Sequence, residues 1–497
     1  MVRAKDSPDD RSKATGSDFL QLNIADAPTG GLSDWLAEQL RLAISDGRLP
    51  LGSTLPATRV LAGDLRVSRG VVTETYQRLT EDGHVVGRGR AGTIVVAAPL
   101  AVPVGGVRRR SAAGGAELRA LFAAEPGSDI FDALRAVPAR IDLAPGVPDL
   151  AAFPRVAWLR AERAVLNELT PADFRYGDPS GTPALRLAVA HWLARNRGIR
   201  ADPAEVVIVA GVAQSIGLLA QVLRRAGISE VAVEEPSSLG VRQHLRNWGM
   251  ATPPVAVDAE GIRVDELRAS GAPAALLTPA HQFPTGVVLD GERRRELMRW
   301  AGDGGLVIED DYDAEHRYDR PPVPAVRAML AEQVCYTGSV SKLLAPALRL
   351  GWLLVPARYL ADVRAAKRNA DLGNPVLAQL VLARLMESGE MERQLRFVRR
   401  RHRRRRDAMI EAIAEHLPGA SVHGAAAGLH LMITFDGAFE DADFAAAALA
   451  RGVKVQPLSW HAQRAHPPGL VLGYAANTIT EINEGVAILG EIGRTLR

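Results

Sequence analysis

Five short apolar runs restrict the fold of this chain more than any other feature of its sequence. They read "EVVIVAG", "EVAVEEP", "AALLTPA", "GLVIEDDY" and "QVCYTGS", and they fall between residues 205 and 339. Segments with helical periodicity separate them. Strands that alternate with helices predict an α/β domain with a doubly wound, mostly parallel sheet. After about residue 356 a more helical portion gives way to "GLHLMITF" and "GLVLGYAAN", which predict strands of a smaller α+β lobe.

Residues 19–97 are punctuated differently. "LSDWLAEQLRLAISDG" sets Leu32, Leu36, Leu40 and Ile44 on one helical stripe, which Gly47 ends. "TRVLAGDLR" and "SRGVVTETYQRLTEDG" predict two further helices, and "HVVGRGRAGTIVV" a small β-hairpin. Helix, turn, helix, hairpin is the outline of a winged helix-turn-helix. Its second helix, starting near Ser68, would present Ser68, Arg69 and Thr73 to the major groove of double-stranded DNA. Arg59 and Tyr76 are candidates for phosphate contacts. In the wing, Arg88, Arg90 and Thr93 are the candidates, and Gly89 and Gly92 let the backbone approach phosphate closely. Charge alone does not separate this reading from a three-helix protein-interaction module: residues 19–97 hold eight Arg, no Lys and eight acidic residues. The whole chain is only +3, too small a bias to argue for nucleic acid by itself.

Residues 1–18 are charged and small and predict a disordered tail. Residues 98–140, rich in Ala, Gly and Pro, predict a linker of moderate stiffness, and 141–497 a second domain. The single cysteine, Cys335, excludes an internal disulfide and reads as a buried structural thiol. The polar N-terminal stretch carries no signal-peptide core, and no apolar run is long enough to span a bilayer. A cytoplasmic location is the expectation, with no membrane partner.

The stretch "GSVSKLLAPALRLGW" places Lys342 behind Ser339 and Ser341, with Arg349 seven residues on. A lysine amine can form a Schiff base with an aldehyde cofactor. Pyridoxal 5'-phosphate is the cofactor this suggests, and it also needs a carboxylate at its ring nitrogen. Asp310, ending an apolar strand, is that candidate, and Tyr312 could reach the ring's phenolate oxygen. Ser339, Ser341 and Arg349 suit the phosphate. So does the start of the helix in "VIVAGVAQSIGLLAQVL", around Ala213 and Gln214. Tyr176, in "FRYGDPSG", could add a hydroxyl, including across a dimer interface. No metal site is expected.

Two resemblances sharpen these readings. The run G-x-L-x-x-G-x-x-L-P-x-x-R-x-L-A-x-x-L-x-V-S-R resembles the DNA-binding domain of the GntR family over nearly the whole N-terminal module. "YGDPSGTPALRLAVAHWL", "TPAHQFPTGV", "IEDDYDAE" and "SVSKLLAPALRLGW", in that order, resemble fold type I aminotransferases over residues 141–497. Both halves in one chain resemble the MocR/GabR regulators. The resemblance implies that Lys342 is the Schiff-base lysine and Asp310 the pyridinium partner. It implies contacts from Tyr312 to the phenolate oxygen, from Arg349 to the phosphate, and a less defined role for His281 and Gln282. A homodimer bound to operator double-stranded DNA is expected, responding to pyridoxal phosphate, a small amino compound, or both.

Two departures from the resemblance bear on chemistry. Ser238 stands where relatives often place an aromatic residue to stack on the pyridine. Leu472 and Gly473 stand where aminotransferases usually carry the arginine that grips a substrate carboxylate, and Arg464 is nearby without motif support. At most weak or partial transamination is therefore expected. A working aminotransferase with a DNA-binding appendage, and a large domain serving only as a dimerisation scaffold, are the alternative readings. The arginine-rich run "RFVRRRHRRRR" (396–406) is read either as a solvated helix face or as a patch contacting DNA.

Overall fold

The computed structural model describes residues 31–89, 92–96, 121–122, 125–318 and 323–496, together with Leu22, Ile24 and Ala27. The expected tail at 1–18, the stretch 98–120 and Arg90 lie outside the described residues. The chain divides into two units, Met1–Gly106 and Val107–Arg497.

In the first unit the three expected helices run Leu32–Ser45, Thr58–Asp64 and Arg69–Glu81. Leu36, Leu40, Ile44, Leu61, Val72 and Leu79 close its core. Ser68 caps the third helix, its hydroxyl accepting from the Val71 amide at 3.4 Å. The hairpin pairs Val85–Gly87 with Thr93–Val95, and Thr54–Leu55 adds a third antiparallel strand. Two residues are too few to show a strand pattern in sequence, so that edge was not expected.

In the second unit all five expected strands are present, at Val207–Val209, Ala232–Glu235, Ala274–Leu277, Leu306–Asp311 and Val334–Ser339. The last four are joined in parallel in the order 334, 306, 274, 232, followed by Pro254–Asp258. Gly351–Leu354 lies antiparallel between Val334–Ser339 and Val207–Val209. Asp310 is in register with Thr337, and Ser339 with Gly351. The C-terminal ends of these strands therefore share one edge, where open α/β sheets bind ligands.

The smaller lobe holds the four-stranded sheet Ala420–His423, His430–Phe435, Gly469–Gly473 and Gln456–Pro457. A short parallel pair, Ile141–Asp142 with Val453–Lys454, ties the start of the domain to this lobe. Part of the expected linker is folded. Helix Ile130–Ala136 buries Ile130 and Leu134 in the lobe's core, and Phe122 stacks on Trp460 with centroids 5.2 Å apart. Alanine and glycine set the composition of 98–140, but a few large apolar side chains decide where it packs. Among the described residues no helix is long and apolar enough to cross a membrane. Cys335 is buried in the central sheet, as expected.

Candidate functional site

A cavity of about 730 Å³ opens at the C-terminal strand edge, lined by Gly146, Glu234, Asp310, Tyr312, Lys342 and Arg349 among others. Lys342 follows the strand Val334–Ser339 and is held by a hydrogen bond from its Nζ to the Gly146 carbonyl. Burial pushes its amine below the ordinary lysine value, against the opposing pull of Asp313 and Asp310. A depressed amine is more often neutral, the form that attacks a carbonyl. A Cβ added at Gly146 would come within 3.4 Å of that amine, so the residue leaves the nitrogen room.

Asp310 ends the strand Leu306–Asp311. Burial, with Asp311 and Asp313 nearby, pushes its carboxyl up to about 7, and its Oδ1 is buried with no hydrogen-bond partner. An orphaned buried acceptor of this kind costs free energy until a donor reaches it. Arg349 occupies the left-handed region (φ 50°) after the turn Pro346–Leu348. Its guanidinium sits against Gly211, where an added Cβ would lie 3.3 Å from Nη1. Gly211 precedes the helix Val212–Arg225, so a guanidinium meets the free N–H groups of a helix start, and the pair forms a cradle for an anion.

Several expected residues take other places. Ala213 lies in the first turn of that helix as expected, but the Gln214 side chain is committed to the Ala210 amide, Lys367 and Asp371. Ser339 and Ser341 do not line the cavity; the Ser339 hydroxyl accepts from the Ser341 amide at 3.4 Å and shapes the turn before Lys342. His281 is buried behind Tyr312: its Nδ1 lies 3.0 Å from the Tyr312 hydroxyl and 2.9 Å from Asp313 Oδ2. It therefore orients Tyr312 rather than lining the cavity. Tyr176 is 90% exposed and outside the cavity of its own chain.

The sequence reading missed Gly146, Glu234, Thr278, His430, Lys454 and His461, all of which line the cavity. Glu234 offered the same signal as Asp310, an acid at the end of an apolar run. Burial pushes it up to about 7, although Thr278 and Gln282 bond its carboxyl. Burial drives His430 and His461 down to about 3, so both are neutral there.

In the first unit Arg59, Ser68, Arg69, Thr73 and Arg88 are exposed. Thr93 is half-buried in the central wing strand. Tyr76 is a correction: it is 6% exposed, and its hydroxyl donates to the Pro56 carbonyl at 2.8 Å, so it is a core residue. Arg41 pairs with Asp82, Arg48 with Asp46, and Arg78 with Asp34 and Glu74. Among the described residues the arginines without an ion pair in this unit are Arg59, Arg66, Arg69 and Arg88. A module with balanced charge thus spreads its available cations over the helix-turn-helix and the wing: Arg59 on its first helix, Arg66 in the turn, Arg69 opening the second helix and Arg88 in the hairpin. Arg66, in a left-handed turn (φ 54°), was not singled out in the sequence.

Residues 32–95 match the family of bacterial regulatory proteins of the gntR type, and residues 139–486 match aminotransferase class I and II. The chain is 30% identical to the probable rhizopine catabolism regulatory protein MocR of Rhizobium meliloti, covering 91% of each. It is 30% identical to the pyridoxine biosynthesis transcriptional regulator PdxR of Corynebacterium glutamicum, covering 91% of this chain and 95% of that one. The chain belongs to the MocR family of regulators. Its second unit is also similar to a kynurenine aminotransferase of Pyrococcus horikoshii, solved with PMP. The TM-score is 0.68 at 25% identity, over 74% of this chain and 93% of that one.

The cofactor of this MocR-type domain is pyridoxal phosphate, and the residues present fit it. The orphaned Asp310 oxygen suits a protonated ring nitrogen, the Arg349–Gly211 cradle a phosphate, and the Lys342 amine an aldehyde. When bound, the group supplies a reactive aldehyde and an electron-withdrawing ring. The departures hold in three dimensions. Ser238 caps the helix Leu239–Asn247 at the cavity wall. Leu472 is fully buried in the lobe core. Arg464 faces Glu266 and the Pro254 carbonyl, outside the cavity.

Neither reading of the arginine run covers what the structure shows. Glu390–His416 is one helix whose inward face carries Arg405 and Arg406. Arg401 and Arg405 pair with the buried Asp149 at 2.6 and 3.0 Å, and Arg406 stacks over Tyr318. Arg396, Arg400 and Arg404 are exposed.

Proposed function

We propose that this regulator couples operator binding to the state of its pyridoxal phosphate cavity. The observation that carries the reading is the pairing, in one chain, of a reader with exposed Arg59, Arg69 and Arg88 and a cavity that joins Lys342, Asp310 and Arg349. The chain acts in the cytoplasm as a homodimer, and the exposed Tyr176 hydroxyl serves the partner's cavity. The effector is a small amino compound or the cofactor itself. Turnover is weak, because no arginine replaces Leu472 and because Ser238 offers the cofactor ring no aromatic face. Coupling requires the two conformations that bind operator differently to bind the cofactor differently. By reciprocity, operator DNA then changes cofactor affinity by the same factor, typically about 5- to 150-fold. Cofactor titration with and without operator tests this. Equal affinities leave the large domain as a scaffold, and brisk multiple turnover with an amino and keto acid pair restores the enzyme reading.

A further inference from the structure

Four cationic side chains line the cavity: Arg135, Lys342, Arg349 and Lys454. Lys342 would take the cofactor's aldehyde, and Arg349 sits against Gly211 in the anion cradle. Arg135 is an exposed residue of helix Ile130–Ala136, paired with Asp132 one turn back. Lys454 is different. It is 5% exposed, and strand alternation explains why it faces the cavity: its neighbours Val453 and Val455 enter the lobe core. His430 and His461, also in the wall, are neutral and supply no charge.

The ion pair of Lys454 is with Asp142, at 3.3 Å, and that carboxylate is 45% exposed. A buried amine thus faces a ligand cavity while its counter-charge keeps much of its hydration. Releasing Asp142 to water costs little, so an incoming acid can take its place. The segment 142–146 links this point to the reacting end: Asp142 meets Lys454, and the Gly146 carbonyl receives Lys342. Four residues span at most about 14 Å, and both amines line the same cavity.

Resting on the regulator reading above, we infer that Lys454 is the receptor for the anionic group of the effector, which is therefore an amino acid and not a simple amine. Its amine lies toward Lys342, and its carboxylate exchanges with Asp142 at Lys454. This replaces, from a different strand, the cation that Leu472 does not provide.

The test uses the full chain loaded with pyridoxal phosphate, and its readout is the change in the cofactor's visible spectrum, a binding signal. The probes are glycine, β-alanine and 4-aminobutanoate, each against the alkylamine of equal carbon number. In the native protein at least one acid should act at a concentration about tenfold or more below its amine, the effect of one charge-assisted hydrogen bond. Lys454→Met should abolish that preference and leave the alkylamine response in place. Lys454→Arg should keep the preference, and it decides the matter if the methionine variant does not fold. Equal response to acids and amines in the native protein, or a preference that survives Lys454→Met, overturns the inference while the cofactor reading stands. A native protein that takes up no cofactor overturns both.

Discussion

Replacing Asp310 with asparagine should move stability and cofactor affinity in opposite directions. The Asp310 carboxyl is held at about 7, against 3.8 for an ordinary aspartate, mainly by burial. A folded value above the unfolded one means that the folded state keeps a proton which the unfolded state has released. The cofactor-free protein therefore loses stability as pH rises from about 4 to about 7, and stays at the lower level above that. The full shift corresponds to about 4 kcal/mol, of which somewhat less than half has been lost by pH 5. Asp310→Asn removes this term, so without cofactor the variant should gain on the native protein by about 2–3 kcal/mol more at pH 8 than at pH 5. With cofactor the sign reverses. Asparagine cannot carry the negative charge that a protonated ring nitrogen needs, and losing a charge-assisted hydrogen bond should weaken cofactor binding by about 10- to 100-fold. Urea denaturation of the cofactor-free proteins at both pH values, with cofactor titration by absorbance at pH 8, measures both effects. A variant equally destabilised at pH 5 and pH 8, or one that binds cofactor as the native protein does, refutes the assignment of Asp310.

Lys342→Ala should abolish the visible absorbance of the lysine-bound cofactor while the circular dichroism of the protein stays unchanged; an unchanged band would eliminate Lys342. Arg69→Ala should weaken specific operator binding by about ten- to hundredfold if Arg69 reads a base edge, whereas Arg88→Ala should weaken all duplexes alike and lower the salt slope by about 1. Competition with non-specific DNA across salt concentrations separates the two. Arg197 and Asp311 form a pair 2.6 Å apart with both side chains at most 2% exposed, so Arg197→Ala, which strands a buried charge, should cost about 3–5 kcal/mol in chemical denaturation.

What was legible in the sequence was contiguous. Lys342 and Arg349 share one stretch, Asp310 and Tyr312 another, and the apolar runs around them predicted the strands whose ends bring them together. The unexpected cavity residues arrive from distant segments: Gly146 meets Lys342 across 196 positions. Composition misled at two kinds of place. Tyr76 has a polar tip, but Val72, Tyr76 and Leu79 fall on one helical face, and that face turns inward. Ser339 has a hydroxyl suited to phosphate, but its nearest donor is the Ser341 amide in its own turn.

The arginine run shows why charge density alone cannot place a helix face. With a period of 3.6 residues, a 27-residue helix packed on one side must turn some of any unbroken arginine series inward. Val398, His402, Arg405 and Met409 mark the buried stripe here. A guanidinium on that stripe is tolerable only where an acid or a carbonyl meets it. Asp149 meets Arg401 from 252 positions away, and the Ala475 and Ala425 carbonyls meet Arg405 and Arg406. The sequence displays the cations together and scatters their partners, so the run looks more solvent-directed than it is. The same separation hides Lys454, whose setting becomes visible only when the Asp142 strand pairs beside it.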